Sequence, residues 1–339
     1  RVGMVNRIIN GDMRIDQRNA GASGTASGYM VDRWAYYGAQ ASKGTWQQNA
    51  GAITPPSGFK NYLGFTSSSA YPVSSTDLFE LYQFIEGYNL ADLEWGTSSA
   101  KTATLSFWVR SSLTGTFGGG ISNSGNTRNY PFTYTINIAD TWEQKTITVV
   151  GDTTGTWLST NNVGCVVILG LGAGSTWGGT GNAWNGTTYA IIPTGATSVV
   201  GTSGATFYVT GVQLEKGSTA TDFEYVDYSR QLQQCQRYYQ KFEEGTDNSF
   251  SLATVWTTTL FFAVRSFSPM RAMPTGSVSA ANAISFFSAG SAKPSTSLTV
   301  AQFSNASFEV VCGAAGMSMG ASGFIRFAAG GWIALSAEL

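Results

Sequence analysis

Short runs in which apolar and polar residues alternate, set between glycine- and hydroxyl-rich stretches, leave this chain little to fold into except antiparallel sheet. In Ala103–Ser111, ATLSFWVRS, Leu105, Phe107 and Val109 alternate with Ser106, Trp108 and Arg110. That period of two sends successive side chains to opposite faces of a strand. Residues 142–150 place Ile147 and Val149 on one face, and residues 205–214 set Phe207 and Val209 against Tyr208 and Val212. Residues 164–172 are apolar on both faces, as a strand in the middle of a sandwich is. Trp34–Gly38, Gly44–Gln48 and residues 61–65 and 80–87 read as further strands, while 115–130 and 177–189 read as long loops. Many strands with turn signals between them predict an all-β protein, an antiparallel β-sandwich spanning residues 29–226.

Before the sandwich, residues 1–28 supply apolar contacts (Val5, Ile8, Ile9, Met13, Ile15) around an Asn10-Gly11 turn, then a Gly/Ala/Ser link over 20–28. After it, residues 227–239 are the one good helical stretch, with Leu232, Cys235 and Tyr239 at i, i+3 and i+7 on one face. Residues 227–241 are thus expected to form a helical connector, with Leu232, Cys235, Arg237, Tyr238 and Tyr239 at an interface. Residues 242–339 read as a smaller C-terminal β domain. Its strands are expected in 250–266, 283–287, 297–303, 306–312 and 324–327, with a proline-kinked edge at 269–274. No repeat and no heptad pattern is legible.

Charged residues make up 12% of the chain, about half the average for soluble proteins. Lys+Arg number 19 against 20 Asp+Glu, for a net charge of −1. Without a basic run, nucleic acid and anionic membranes are poor partners. No histidine occurs, which removes the commonest general base and metal ligand and rules out a Ser-His-Asp site within the chain. Cys165, Cys235 and Cys312 lie far apart, without a CxxC, and read as three buried thiols rather than a zinc site. No apolar stretch is long enough to span a membrane, and no secretory signal is legible.

Several long segments carry a resemblance: VNRIINGDMRIDQRNAG, VDRWAYY, IEGYNLADLEWGTSSAKTATLSFWVRSS, RNYPFTYTINIADTWEQKTITVVGDTTGTW and FYVTGVQLEKGSTATDFEYVDYSRQLQQCQRYYQK. They resemble the tail-fibre and receptor-binding proteins of tailed phages and prophages. The middle of the chain is similar to carbohydrate-binding-module jelly rolls. The resemblance implies a jelly roll and a homotrimer on a virion, with other tail or head proteins and a host-surface polysaccharide as partners. It also implies synthesis in the host cytoplasm without a signal peptide. A structural virion protein without a receptor (head fibre, decoration protein or tail connector) is the alternative, and a polysaccharide depolymerase is a third reading.

Sugar recognition needs an aromatic ring against the pyranose face and amide or carboxylate groups for the hydroxyls. Trp177, Trp184 and Tyr189 stand in the polar loop WGGTGNAWNGTTY, with Asn182 and Asn185 as polar partners. Each tryptophan has an alternative role, plugging the end of the sandwich or a subunit interface. Trp34, Tyr36, Tyr37 and Trp46 lie on strands and read as core or interface packing. Glu80, Glu86, Asp92 and Glu94 are the densest acidic group, yet nothing in their spacing sets two carboxylates across a cleft as a glycosidase requires. No catalytic residue, metal site or cofactor is therefore expected. A structural calcium on one of these acids stays open, although no DxDxDG run supports it. Gly118-Gly119-Gly120 opens no helix and so lacks the setting of a phosphate loop.

Overall fold

The computed structural model describes residues 4–243, 250–301, 303–304 and 306–339. The chain divides into two compact units, Arg1–Gln231 and Leu232–Glu338. In the first, the strands are Gly28–Val31 (β1), Trp34–Gly38 (β2), Gly44–Gln48 (β3), Leu63–Ser67 (β4), Leu78–Glu86 (β5), Ala103–Ser111 (β6) and Gly115–Asn123 (β7). They continue with Asn129–Ile136 (β8), Glu143–Val149 (β9), Val163–Ala173 (β10), Gly178–Gly179 (β11), Ile192–Pro193 (β12) and Thr206–Lys216 (β13). Two antiparallel sheets, β1-β2-β5-β10-β7-β8 and β3-β4-β13-β6-β9, form the jelly-roll sandwich. β11 and β12 make a short parallel pair apart from them.

The alternation read in the sequence becomes the core. Leu105, Phe107 and Val109 of β6, Phe207, Val209 and Leu214 of β13, and Phe79, Leu81 and Ile85 of β5 are all buried in one cluster between the sheets. β10 is buried along almost its whole length, as its apolar sequence predicts.

The segment 115–130, expected to be a loop, is instead β7, a turn and the start of β8. The cause is Gly118-Gly119-Gly120, which hides the alternation while allowing close backbone approach. A Cβ on Gly119 would lie 2.4 Å from the Ile168 carbonyl oxygen, and one on Gly120 would lie 2.1 Å from that of Ile191. The segment 20–28 is likewise not loose throughout. Gly24 exchanges backbone hydrogen bonds of 2.8 and 2.9 Å with Trp46, and a Cβ there would strike the indole at 2.2 Å.

The N-terminal segment is threaded into the first unit by side chains that stand in for a strand partner. The buried amide of Gln83 accepts from the Ile9 N–H and donates to the Ile9 carbonyl, each at 2.9 Å. The Arg7 N–H donates to the Leu214 carbonyl at 2.8 Å and the Val212 N–H to the Gly11 carbonyl at 2.9 Å. Asn10, at φ 59°, bonds through its side chain to the backbone of Ile15 and Asp32, which fixes the predicted Asn-Gly turn.

The helix α1 runs Tyr228–Gln236. The Asp227 carboxylate caps it, accepting the Arg230 N–H at 3.0 Å. It is shorter than the helix expected over 227–239. Tyr239 belongs to the next strand, Tyr239–Glu243 (β14), because its backbone pairs with Ser336. The expected helical face of Leu232, Cys235 and Tyr239 therefore splits. Cys235 and Tyr238 are buried, Leu232 and Arg237 are half-buried, and Tyr239 is buried from a strand.

The second unit continues with Ser251–Thr257 (β15), Leu260–Ser266 (β16), Thr275–Val278 (β17), Ile284–Ser288 (β18), Ser291–Pro294 (β19), Ser297–Ala301 (β20), Ser307–Gly313 (β21), Ser322–Phe327 (β22) and Trp332–Ser336 (β23). These form sheets β14-β23-β17 and β19-β18-β22-β15-β16-β21-β20 around Phe250, Phe261, Phe286, Phe308 and Ile325. Cys165, Cys235 and Cys312 are all buried free thiols. Among the described residues no helix is long and apolar enough to cross a membrane.

Replacing Gln83 by Ala strands the N–H and carbonyl of Ile9 in the interior. Each such group costs about 1–3 kcal/mol, so the urea midpoint of Gln83→Ala is expected to fall by an amount equivalent to roughly 2 kcal/mol or more. An unchanged midpoint would contradict this role for the amide.

Candidate functional site

The face of the six-stranded sheet that turns away from the core carries the site. On β5 the residues between the core positions, Leu78, Glu80, Tyr82 and Phe84, point outward. Beside them stand Val166 and Ile168 of β10 and Tyr37 of β2. Together they floor a groove of about 320 Å³. Its wall is the loop that the sequence singled out. Trp177 and Tyr189 face each other edge-on with ring centroids 5.0 Å apart, and Ser124 and Asn126 close the other side from the turn between β7 and β8.

Backbone pairing holds that wall in place. The Trp177 indole N–H donates to the Thr76 carbonyl at 2.9 Å. The Ile191 N–H donates to the Trp177 carbonyl at 3.1 Å, and the Tyr189 N–H to the Asn126 carbonyl at 3.1 Å. Next to Thr76, the carboxylate of Asp77 anchors the same segment. The Ser74 amide and hydroxyl and the Tyr71 hydroxyl bond that carboxylate and hold it down at about 2. Tyr189 adopts φ 66°, a left-handed conformation that costs an aromatic residue on the order of 1 kcal/mol. Its ring is displayed at 44% exposure.

Glu80 lies on the groove floor, opposite Tyr37 on β2 and Gly170 on β10. It is 9% exposed, and its Oε2 is buried without a hydrogen-bond partner. Burial pushes its pKa up to about 8, which favours the protonated, uncharged form at neutral pH. A group of this kind is costly to bury and has reason to persist where a ligand completes it.

The structure separates the five residues expected to bind sugar. Trp177 and Tyr189 line the groove, whereas Trp184 packs elsewhere. Its ring meets Trp95, Trp157 and Tyr130 edge-on at 5.6, 5.4 and 5.1 Å, and its indole N–H donates to the Val150 carbonyl at 2.6 Å. Asn182 bonds Thr133 through both amide atoms. Asn185 closes its own loop through Thr180 and Ala183. These three residues build the loop and leave the display of polar groups to others. Tyr37, read from the sequence as packing, is 42% exposed in the groove, while its neighbours Trp34 and Tyr36 are buried. Tyr82 is legible in the sequence only as a member of an alternating strand, and Glu80 as a member of the acidic group as well.

The four acids of the expected cluster go separate ways. Asp92 pairs with Arg7 at 2.8 Å and Lys216 at 3.5 Å, and Glu94 with Lys101 at 3.0 Å. Glu86 is buried at the end of β5, and Glu80 stands in the groove. Among the described residues no group of three or more His, Cys, Asp or Glu is placed to hold a metal ion. Two other concavities, one lined by backbone glycines and Pro193 and one by Leu90, Trp95 and Trp157, contain no such orphaned carboxyl.

No protein-family model and no curated protein matches this sequence. Among solved structures, a CBM4 module is similar at a TM-score of 0.33 and 14% identity over 61% of this chain and 98% of its own. The family 11 carbohydrate-binding module from Clostridium thermocellum, solved with a mixed-linked tetrasaccharide, gives 0.30 and 10% over 60% and 100%. The enzymatically active domain of bacteriophage CBA120 tailspike protein 4 gives 0.34 and 8% over 63% of this chain and 22% of its own. What each neighbour binds is a property of that neighbour.

Two outcomes follow for stability. Because burial raises the pKa of Glu80, stability is greatest below the unfolded carboxyl value, near 4.5, and is lost as pH rises from there through about 8. Glu80→Gln is therefore expected to gain on the wild type in thermal melts between pH 5 and 9, by an amount on the order of a few kcal/mol at about 1.4 kcal/mol per unit. A difference that stays constant with pH would refute it. Trp184→Ala is expected to cost about 3 kcal/mol in denaturant unfolding, since it opens a hole among Trp95, Trp157 and Tyr130.

Proposed function

We propose that this chain is a tail-fibre or receptor-binding protein of a phage or phage-like particle, and that its jelly roll attaches the particle to a host-surface glycan without chemical change. The observation that carries the glycan reading is the groove itself. Aromatic rings at Tyr37, Tyr82, Trp177 and Tyr189 surround a carboxyl group with an unsatisfied oxygen. Rings take the apolar face of a pyranose, and a fixed polar atom takes a hydroxyl. The place on a virion rests on the sequence resemblance.

Hydrolysis would need a second carboxylate within about 5–10 Å of the first. Asp77, three residues before Glu80, is tied up by the Tyr71 hydroxyl and the Ser74 N–H, and the next acid along β5, Glu86, is six residues on, roughly 20 Å at about 3.3 Å per residue. That spacing favours holding a sugar over cleaving it. A shallow groove binds weakly, and repetition across a particle restores avidity.

An assembly role has an observation of its own. Leu252, Trp256 and Val264 on the hairpin β15–β16 are 81%, 67% and 61% exposed, on a sheet face that favours self-association into the trimer the resemblance implies. It equally supports the second reading, a structural virion protein without a receptor.

Adsorption to host cells and glycan-array binding of the purified protein separate these readings. Tyr82→Ala and Trp177→Ala are each expected to weaken binding about tenfold or more, as loss of a central aromatic contact does. Trp184→Ala is the folded control that keeps it. Unaltered adsorption in both groove variants would remove the glycan site from this face, and release of reducing ends from host polysaccharide would replace attachment by depolymerisation.

A further inference from the structure

The groove is built around an acid that has nothing to bond and no charge to balance it. Every element packed against Glu80 confirms the setting. β2 brings Tyr37, β10 brings Ile168 and Gly170, β5 itself brings Leu78 and Tyr82, and the overlying loop brings Trp177, Tyr189 and Ile191. The turn between β7 and β8 adds Ser124 and Asn126. The titratable groups that line the groove with Glu80 are thus three phenols, with no lysine, no arginine and no second carboxylate. Asp77, just before the strand, is held by Tyr71 and Ser74.

We infer, resting on the glycan reading above, that Glu80 makes this groove selective for uncharged saccharides. Its carboxyl, which lines the groove and has one oxygen without a partner, shares a hydrogen bond with a hydroxyl of a sugar lying against Tyr82 and Trp177, and sugars bearing carboxylate or sulfate groups are rejected. A hydroxyl satisfies the stranded oxygen and gains what an unpaired buried acceptor otherwise forfeits. An anionic sugar finds no cation on any wall, and it must surrender its own hydration next to an acid. As pH rises and Glu80 ionises, a neutral sugar still meets an acceptor, while an anionic one meets a like charge in a poorly solvated groove.

The test is calorimetric or NMR titration of the intact chain with neutral oligosaccharides and their uronic-acid counterparts at pH 6 and pH 9. Neutral sugars are expected to bind the wild type at both pH values, and the acidic counterparts about tenfold or more weaker, with a wider gap at pH 9. Glu80→Gln keeps an acceptor without a charge, so it should hold neutral sugars within about threefold and lose the pH-dependent widening. Glu80→Leu fills similar space, keeps the fold by removing a buried polar group, and should weaken neutral-sugar binding about tenfold. Undiminished binding by Glu80→Leu, or acidic sugars binding the wild type as well as neutral ones, overturns the inference while leaving the glycan reading intact. Failure of every saccharide to bind the wild type at either pH overturns both.

Discussion

The pairing of β5 with β10 is the constraint from which both the core and the groove follow. Along β5 the odd positions Phe79, Leu81 and Ile85 enter the sandwich, and the even positions Glu80, Tyr82 and Phe84 form the groove floor. The register Leu81↔Leu169 and Tyr82↔Ile168 matches one strand to the other face by face. A slip by one residue would carry the carboxyl of Glu80 into the core and Phe79 into water. Irregularities at both ends of the pairing, between Val163 and Cys165 and between Gly170 and Gly172, confine the strict register to the length over which the groove is built. Selection for a packed interior therefore also fixes the spacing of the strand-borne groove residues, Glu80, Tyr82 and Phe84.

Period-two patterning made the sandwich legible. β6 and β13 emerge where alternation places them because both of their faces obey one rule. It failed at β7, where three glycines carry no side chain to alternate, and the reason they are glycines is long-range. The carbonyls of Ile168 and Ile191 occupy the space a Cβ would need. The end of the helix was misjudged for a similar reason. Helical spacing joins Cys235 to Tyr239, but pairing with Ser336, nearly a hundred residues on, claims Tyr239 for a strand. In both cases a distant partner overrode local propensity.

The loop tryptophans show why a candidate site is harder to read than a fold. Trp177 and Trp184 share one polar segment and one composition. What separates them is which surface each meets after the loop closes. Trp184 reaches three aromatic neighbours and a carbonyl, so its whole surface is used internally. Trp177 spends its N–H on Thr76 and leaves a ring face over β5 and β10. The asparagines beside them hydrogen-bond their own loop, and an amide so committed supports the wall rather than the ligand. Tyr37 reads from the sequence as core or interface packing, and Tyr82 draws no reading of its own, because an aromatic residue at an alternating position is most economically read as packing.

Glu80 turns this into an argument about function. A buried carboxyl with an orphaned oxygen is a local inconsistency in an otherwise well-matched sheet, and such inconsistencies concentrate where a site is maintained at the expense of stability. Tyr189 is a second case, an aromatic residue held at positive φ a short distance along the same groove. The jelly roll absorbs both because its core is formed by the opposite parity of the same strands. The groove can thus hold strained and desolvated groups in fixed positions before any ligand arrives, and little ordering is left for binding itself to oppose.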